Sequence, residues 1–123
     1  MEEIPKTTSL KYSSLELKFY NIWNRQWKNL IILEREVKFI PTRRFRFDFV
    51  HRPSKTAIEI QGRGKHGTFK GLDIDYTKLN LAIVNGWTVF QLSNPMINHS
   101  WIEQIGNYII SQQEKCDNCD DVT

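Results

Sequence analysis

Asp48 and Glu59 stand where a buried strand would not choose an acid. In RFRFDF, Phe45, Phe47 and Phe49 alternate with Arg44, Arg46 and Asp48; in AIEIQ, Ile58 and Ile60 alternate with Ala57, Glu59 and Gln61. Successive side chains of a strand point to opposite faces. The Phe and Ile sets are therefore expected to share the buried side, and Asp48, Glu59 and Gln61 the other. Adjacent strands lie ~4.8 Å apart, and two carboxylates that close repel unless a proton or a cation lies between them. A hard divalent cation, Mg2+ or Mn2+, meets that need. Mg2+ is usually held by one or two carboxylates together with substrate phosphate, so the chemistry implied is metal-assisted hydrolysis of a phosphodiester.

The charge around this pair points the same way. Nine basic residues lie between Lys38 and Lys70, against two acids, Asp48 and Glu59. A basic surround with a small acidic centre suits a polyanion such as nucleic acid. Arg43, Arg44 and Arg46 on one side, and Arg63, Lys65, His66 and Lys70 on the other, are the candidate phosphate contacts. The second group belongs to the glycine-rich stretch GRGKHGTFKG, whose backbone can approach a ligand closely.

Local signals place these residues on elements. Ser13 and Glu16 have capping-box spacing, and Leu15, Phe19, Ile22, Trp23, Gln26, Trp27 and Leu30 recur at helical intervals after it. A strand is expected within 31–40, ending at Pro41. A second is expected over 43–50 and a third over 56–61, with HRPSK as the turn between them. Leu72, Tyr76, Leu79 and Ile83 step along one helical face that Gly86 closes. WTVFQL reads as a fourth strand, and Trp101, Ile105, Tyr108 and Ile109 as a closing helix. The order is αβββαβ plus a final helix, an α/β class with a mixed central sheet flanked by helices. The four tryptophans lie in apolar contexts and are expected in the core.

With 123 residues, 40% hydrophobic and 12% aromatic, the chain is expected to be one globular domain with a core of its own. The domain is expected over 12–111, between a polar leader, 1–11, and an acidic mobile tail, 112–123. Cys116 and Cys119 in CDNC make at best half a zinc site and are read as reduced thiols. No run of ~18 apolar residues is present. The N-terminal residues lack a signal pattern, which makes the cytoplasm the expected compartment.

The ordered motifs SSLELKF, EVKFIPTRRFRFDF, AIEIQG, GRGKHGTFKG, GLDIDYTKLN and NGWTVFQL resemble the PD-(D/E)XK nuclease superfamily. More narrowly, they are similar to small phage and bacterial members related to very-short-patch repair endonucleases. The resemblance covers about residues 13 to 103. It implies a restriction-endonuclease-like core, a Mg2+- or Mn2+-dependent DNA endonuclease, Asp48 and Glu59 as metal ligands, and Glu16 as a helix carboxylate facing the site. Gln61 stands where the superfamily usually has Lys and close relatives often have Glu, and is expected as a third metal ligand through its carbonyl oxygen. Lys78 matches a lysine of the downstream helix and would supply the missing ammonium, unless it pairs with Asp75. Glu36, sharing alternation with Glu34 and Lys38, would join the surroundings of the ion. An amide cannot act as a base, so a catalytically silent nucleic-acid-binding or regulatory module on the same fold is the alternative. A homodimeric nuclease for branched DNA is a third reading.

Overall fold

The computed structural model describes residues 12–40, 45–61 and 69–122, with side chains for all of these except 69–75 and 116–122. The leader 1–11, Arg43, Arg44, Arg63, Lys65 and His66 lie outside the described residues, as do the side chains of Lys70, Cys116 and Cys119.

Ser13 opens α1 (Ser14–Trp27) with both halves of a capping box. Its Oγ accepts from the Glu16 N–H at 3.1 Å, and Glu16 Oε1 accepts from the Ser13 N–H at 3.0 Å. Three strands follow, β1 (Glu34–Lys38), β2 (Arg46–His51) and β3 (Thr56–Ile60). Helix α2 (Phe69–Val84) then crosses to β4 (Thr88–Leu92). The sheet order is β1-β2-β3-β4, antiparallel through the first three strands and parallel between β3 and β4. The parallel pair requires such a crossover, because a tight turn cannot join parallel neighbours. A short 3-10 turn, Asn94–Met96, leads into α3 (His99–Val122). Helix α3 thus continues through residues 112–122, which the sequence analysis assigned to an acidic mobile tail.

Helix α2 ends in a Schellman motif. Gly86 sits at φ +86°, its N–H bonds to Ile83 O, and the Trp87 N–H bonds back to Ala82 O at 2.9 Å. That turn aims Trp87 back against Ala82, into a cluster with Val37, Phe47, Val50 and Ala57. On the other face, Phe49, Ile58 and Leu92 pack with Phe19 and Trp23 of α1 and with Ile102, Ile105 and Ile109 of α3. Since Phe49 pairs with Ile58 and Val50 with Ala57, the two clusters lie on opposite sides of the sheet. Helices α1 and α3 cover one side, and α2 covers the other. The tryptophans are core, as expected: Trp23 is 2% exposed and Trp87 9%, while Trp27 and Trp101 are half-buried against the α1/α3 cluster.

One expectation is corrected. Phe47 does not share a side with Phe49; it packs with the α2 cluster. Strand alternation breaks between them because Glu36, opposite Asp48, has φ +53°. The β1–β2 register pairs Arg35 with Phe49 and Val37 with Phe47 but skips the Glu36/Asp48 step. By the same token Glu34 and Lys38 lie on opposite sides, and Glu36 shares a side with Lys38 alone.

Helix α1 meets α3 at Gly106. A Cβ there would lie 2.0 Å from Trp27 Cε2, and the same indole donates from Nε1 to Ile102 O at 3.0 Å. The ring cannot yield without losing that bond. Gly106→Ala is expected to destabilise the fold by about 3 kcal/mol, the upper end of ordinary overpacking. A urea denaturation midpoint unchanged from wild type would contradict this packing.

Candidate metal centre

The break in the β1–β2 ladder creates the site. Left-handed backbone costs a non-glycine residue roughly 1–2 kcal/mol, and it turns the Glu36 side chain out of regular alternation. Asp48, opposite, also leaves the ladder. Its Oδ2 accepts the Ile60 N–H at 2.8 Å, replacing the main-chain bond that β2 and β3 would otherwise make beyond the Phe49–Ile58 pair. Helix α1 then brings Glu16 over both. Carboxylate oxygens of Glu16, Glu36 and Asp48 all lie within 4.8 Å of one another, and all three residues are half-buried. They come from three elements, α1, β1 and β2.

Glu16 has the capping role and an ion pair besides. Arg35 Nη2 donates to Glu16 Oε1 at 3.1 Å, with the two side chains 12% and 16% exposed. The Arg35 guanidinium also lies 3.6 Å from the centre of the Tyr12 ring. The Ser13 and Arg35 contacts both fall on Oε1.

Glu59 has a different environment. It lies on the α2 side, where Lys78 Nζ donates to its Oε1 at 2.6 Å across side chains 17% and 13% exposed. Glu59, Gln61 and Lys78 line one cavity of about 10 Å3, with Phe47 as its wall and Gln91 of β4 alongside. That is room for about one water, and the amides, carboxylate and ammonium provide partners for it. Gln91 faces this cavity because β3 and β4 run in parallel register, Glu59 beside Gln91. The expected grouping of Asp48, Glu59 and Gln61 on one side is therefore divided. Asp48 joins Glu16 and Glu36, whereas Glu59 and Gln61 join Lys78. The side chain of Asp75, the other expected partner of Lys78, lies outside the described residues. Arg46 makes no ion pair with Asp48; among the described residues the Asp48 carboxylate is held by the Ile60 N–H.

The two groups still feel each other. Burial pushes the Asp48 carboxyl up to about 7, the Glu59 charge adds to this, the Ile60 N–H opposes it, and Glu16 and Glu36 raise it further. Arg35 and Lys78 offset two of the four carboxylates, Glu16 and Glu59. Glu36 and Asp48 remain, an excess of two negative charges once Asp48 ionises. A divalent cation matches that excess.

His51, to which the sequence analysis gave no role, is structural. It is buried, its Nδ1 lies 2.8 Å from Ser54 Oγ, and Ser54 Oγ lies 2.8 Å from Thr56 Oγ1, which ties the β2–β3 turn. Burial lowers its pKa.

These shifts have opposite signs in pH. Asp48 binds its proton more tightly folded than unfolded, so its contribution to stability is present below pH ~4 and lost as pH rises toward 7. His51 is held neutral, so its contribution is present above its unfolded pKa and lost as pH falls below ~6.5. Asp48→Asn is expected to remove the decline in metal-free stability between pH 5 and 8. It is also expected to remove the stabilisation that Mg2+ or Mn2+ brings to the wild type at pH 8. Denaturation midpoints at the two pH values, with and without the ion, read both effects. Parallel wild-type and variant curves would sink the assignment.

No family model, curated protein or solved structure matches the chain.

Proposed function

We propose that the chain is a divalent-metal-dependent DNA endonuclease of the PD-(D/E)XK type, built on a restriction-endonuclease-like αβββαβ core. The observation that carries this reading is the half-buried convergence of Glu16, Glu36 and Asp48 from three elements, with two negative charges uncompensated among the described residues. The element order and mixed sheet are compatible with that core.

Asp48, Glu36 and Glu16 would hold the ion, Mg2+ or Mn2+, with Glu59 close enough to raise the Asp48 pKa. When bound, it would supply Lewis acidity toward a phosphate oxygen and lower the pKa of water. The rest falls to the chain. Glu59 fixes the Lys78 ammonium at 2.6 Å, where it can stabilise charge developing on the phosphoryl group. The Gln61 and Gln91 amides line the water-sized cavity beside it and orient a water without taking its proton. Exposed Arg46, with the basic residues on either side of it in sequence, would hold the backbone and make binding salt-dependent.

The alternative of a nucleic-acid-binding module without catalysis has one observation of its own. Lys78 neutralises Glu59, and Gln61 offers no base.

Supercoiled plasmid, single strand, mismatched duplex and four-way junction should be challenged with Mg2+, Mn2+ and EDTA. Cleavage is expected only with the ion. Asp48→Ala and Glu36→Ala are expected to lose at least ~100-fold in rate while remaining folded, and Glu59→Ala to lose activity by releasing Lys78. Variants that cut at the wild-type rate would refute the centre. Tight binding without cutting under either metal would favour the silent module.

A further inference from the structure

We infer that Lys38 and Arg46 form a two-pronged clamp for one phosphate of a nucleic-acid backbone, next to the phosphate that faces the carboxylates. The inference rests on the nucleic-acid reading above but not on catalysis. The β1–β2 register sets Lys38 directly opposite Arg46. Side chains so placed have Cβ atoms about 4.5–5.5 Å apart, and like charges there destabilise the sheet. Both residues are exposed. Among the described residues neither has an ion pair or a hydrogen bond from its side chain. The basic residues elsewhere along these two strands are paired, Arg35 with Glu16 and, at the end of β2, Arg52 with Glu34. A fold that pairs those and leaves two cations facing each other has kept a place for an anion.

The clamp's position relates it to the metal centre. Val37 and Phe47 point into the α2 cluster, so their neighbours Lys38 and Arg46 point to the other side of the sheet. That is the side where Glu16 of α1 meets Glu36 and Asp48. One strand residue lies between Arg46 and Asp48, and one between Lys38 and Glu36, a separation on the order of 7 Å. The separation is about one step along an extended nucleotide chain. A phosphate between the prongs takes a forked contact from the guanidinium and a point contact from the ammonium. It thereby turns a repulsive pair into a bridged one. Had the two cations served as counterions to the carboxylates, they would contact them, and the structure shows no such pair among the described residues.

The test uses the full chain in EDTA, so that cleavage plays no part. Binding of a fluorescent oligonucleotide is followed against salt for wild type, Lys38→Ala with Arg46→Ala, and Lys38→Glu. The double variant is expected to lower the slope of log K against log salt by about 2. Lys38→Glu is expected to weaken binding while raising the melting temperature in low-salt, phosphate-free buffer, because it replaces repulsion by attraction. Unchanged binding, or a melting temperature that falls together with binding, overturns the clamp. Millimolar inorganic phosphate is the comparison arm. If it protects wild type from thermal unfolding as well as the oligonucleotide does, the site takes free phosphate and the backbone assignment falls. Oligonucleotide binding without cleavage in the presence of metal keeps the clamp and removes only the nuclease reading. Metal-dependent cleavage with wild-type binding in the double variant does the reverse.

Discussion

Three carboxylates gathered within 4.8 Å repel one another, and the fold has to hold them there against that force. Each is held by a different device. Glu16 is fixed by the first turn of α1, where it serves the capping box, and by Arg35. Glu36 is fixed by left-handed backbone that regular pairing on both sides maintains. Asp48 is fixed by a hydrogen bond from the Ile60 N–H, on the strand beyond its own. None of these devices is local to the cluster alone. The α1 turn is anchored by Phe19 and Trp23 in the core, and Trp23 Nε1 donates to Ile31 O just before β1 begins. The α1/α3 core therefore supplies the energy that keeps like charges together. Strained and charged arrangements of this kind persist where the surroundings over-determine them.

The sheet divides the chemistry in two. On the α1 side lie the Glu16, Glu36 and Asp48 carboxylates, of which Glu16 is paired with Arg35, and on the α2 side lies the Glu59–Lys78 pair with its small polar cavity. Asp48 joins the halves because it stands at the residue where β2 changes faces. Without the change, Phe47 and Phe49 would point the same way, and the α2 side would lack the aromatic wall that Phe47 provides beneath Lys78, 5.1 Å from its ring centre. One irregular step thus sets the carboxylate side, the ammonium side and the aromatic surface between them.

The legible parts of this arrangement were those written in short range. The Ser13–Glu16 spacing, the helical recurrence from Leu15 to Trp27, the Gly86 stop and the alternating strands each depend on residues a few positions apart, and each element formed where those signals lay. The face change was not legible. Glutamate has no special liking for left-handed backbone, so nothing in the residue type at position 36 announces φ +53°. Strict alternation then assigned Phe47 and Asp48 to the wrong sides. The Lys78–Glu59 contact joins residues nineteen apart, while the nearer acid Asp75 was the only partner that helical spacing could suggest. Helix α3 runs beyond its apolar stripe because the backbone continues after Ile109 without a glycine or proline to stop it, whereas composition alone spoke for a tail.

An amide at position 61 changes what the remaining residues must do. In a site where a third carboxylate or a lysine occupied that position, the charge count or the proton inventory would be complete on the β3 side. Here Gln61 contributes neither, and the nearest ammonium comes from α2 and is held by Glu59. Anionic oxygens come from α1, β1 and β2, the ammonium comes from α2, and β3 has one carboxylate that positions it. A site assembled from five elements is complete only when α1 and α2 both pack on the sheet. Its electrostatic excess is relieved only by a proton at low pH or a cation at higher pH. The Asp48 carboxyl near 7 expresses that choice. On the proposed metal-dependent reading, a divalent ion at neutral pH would compete with the proton for the same oxygens, and at sufficient concentration it would displace the proton because it neutralises both residual charges where the proton neutralises one.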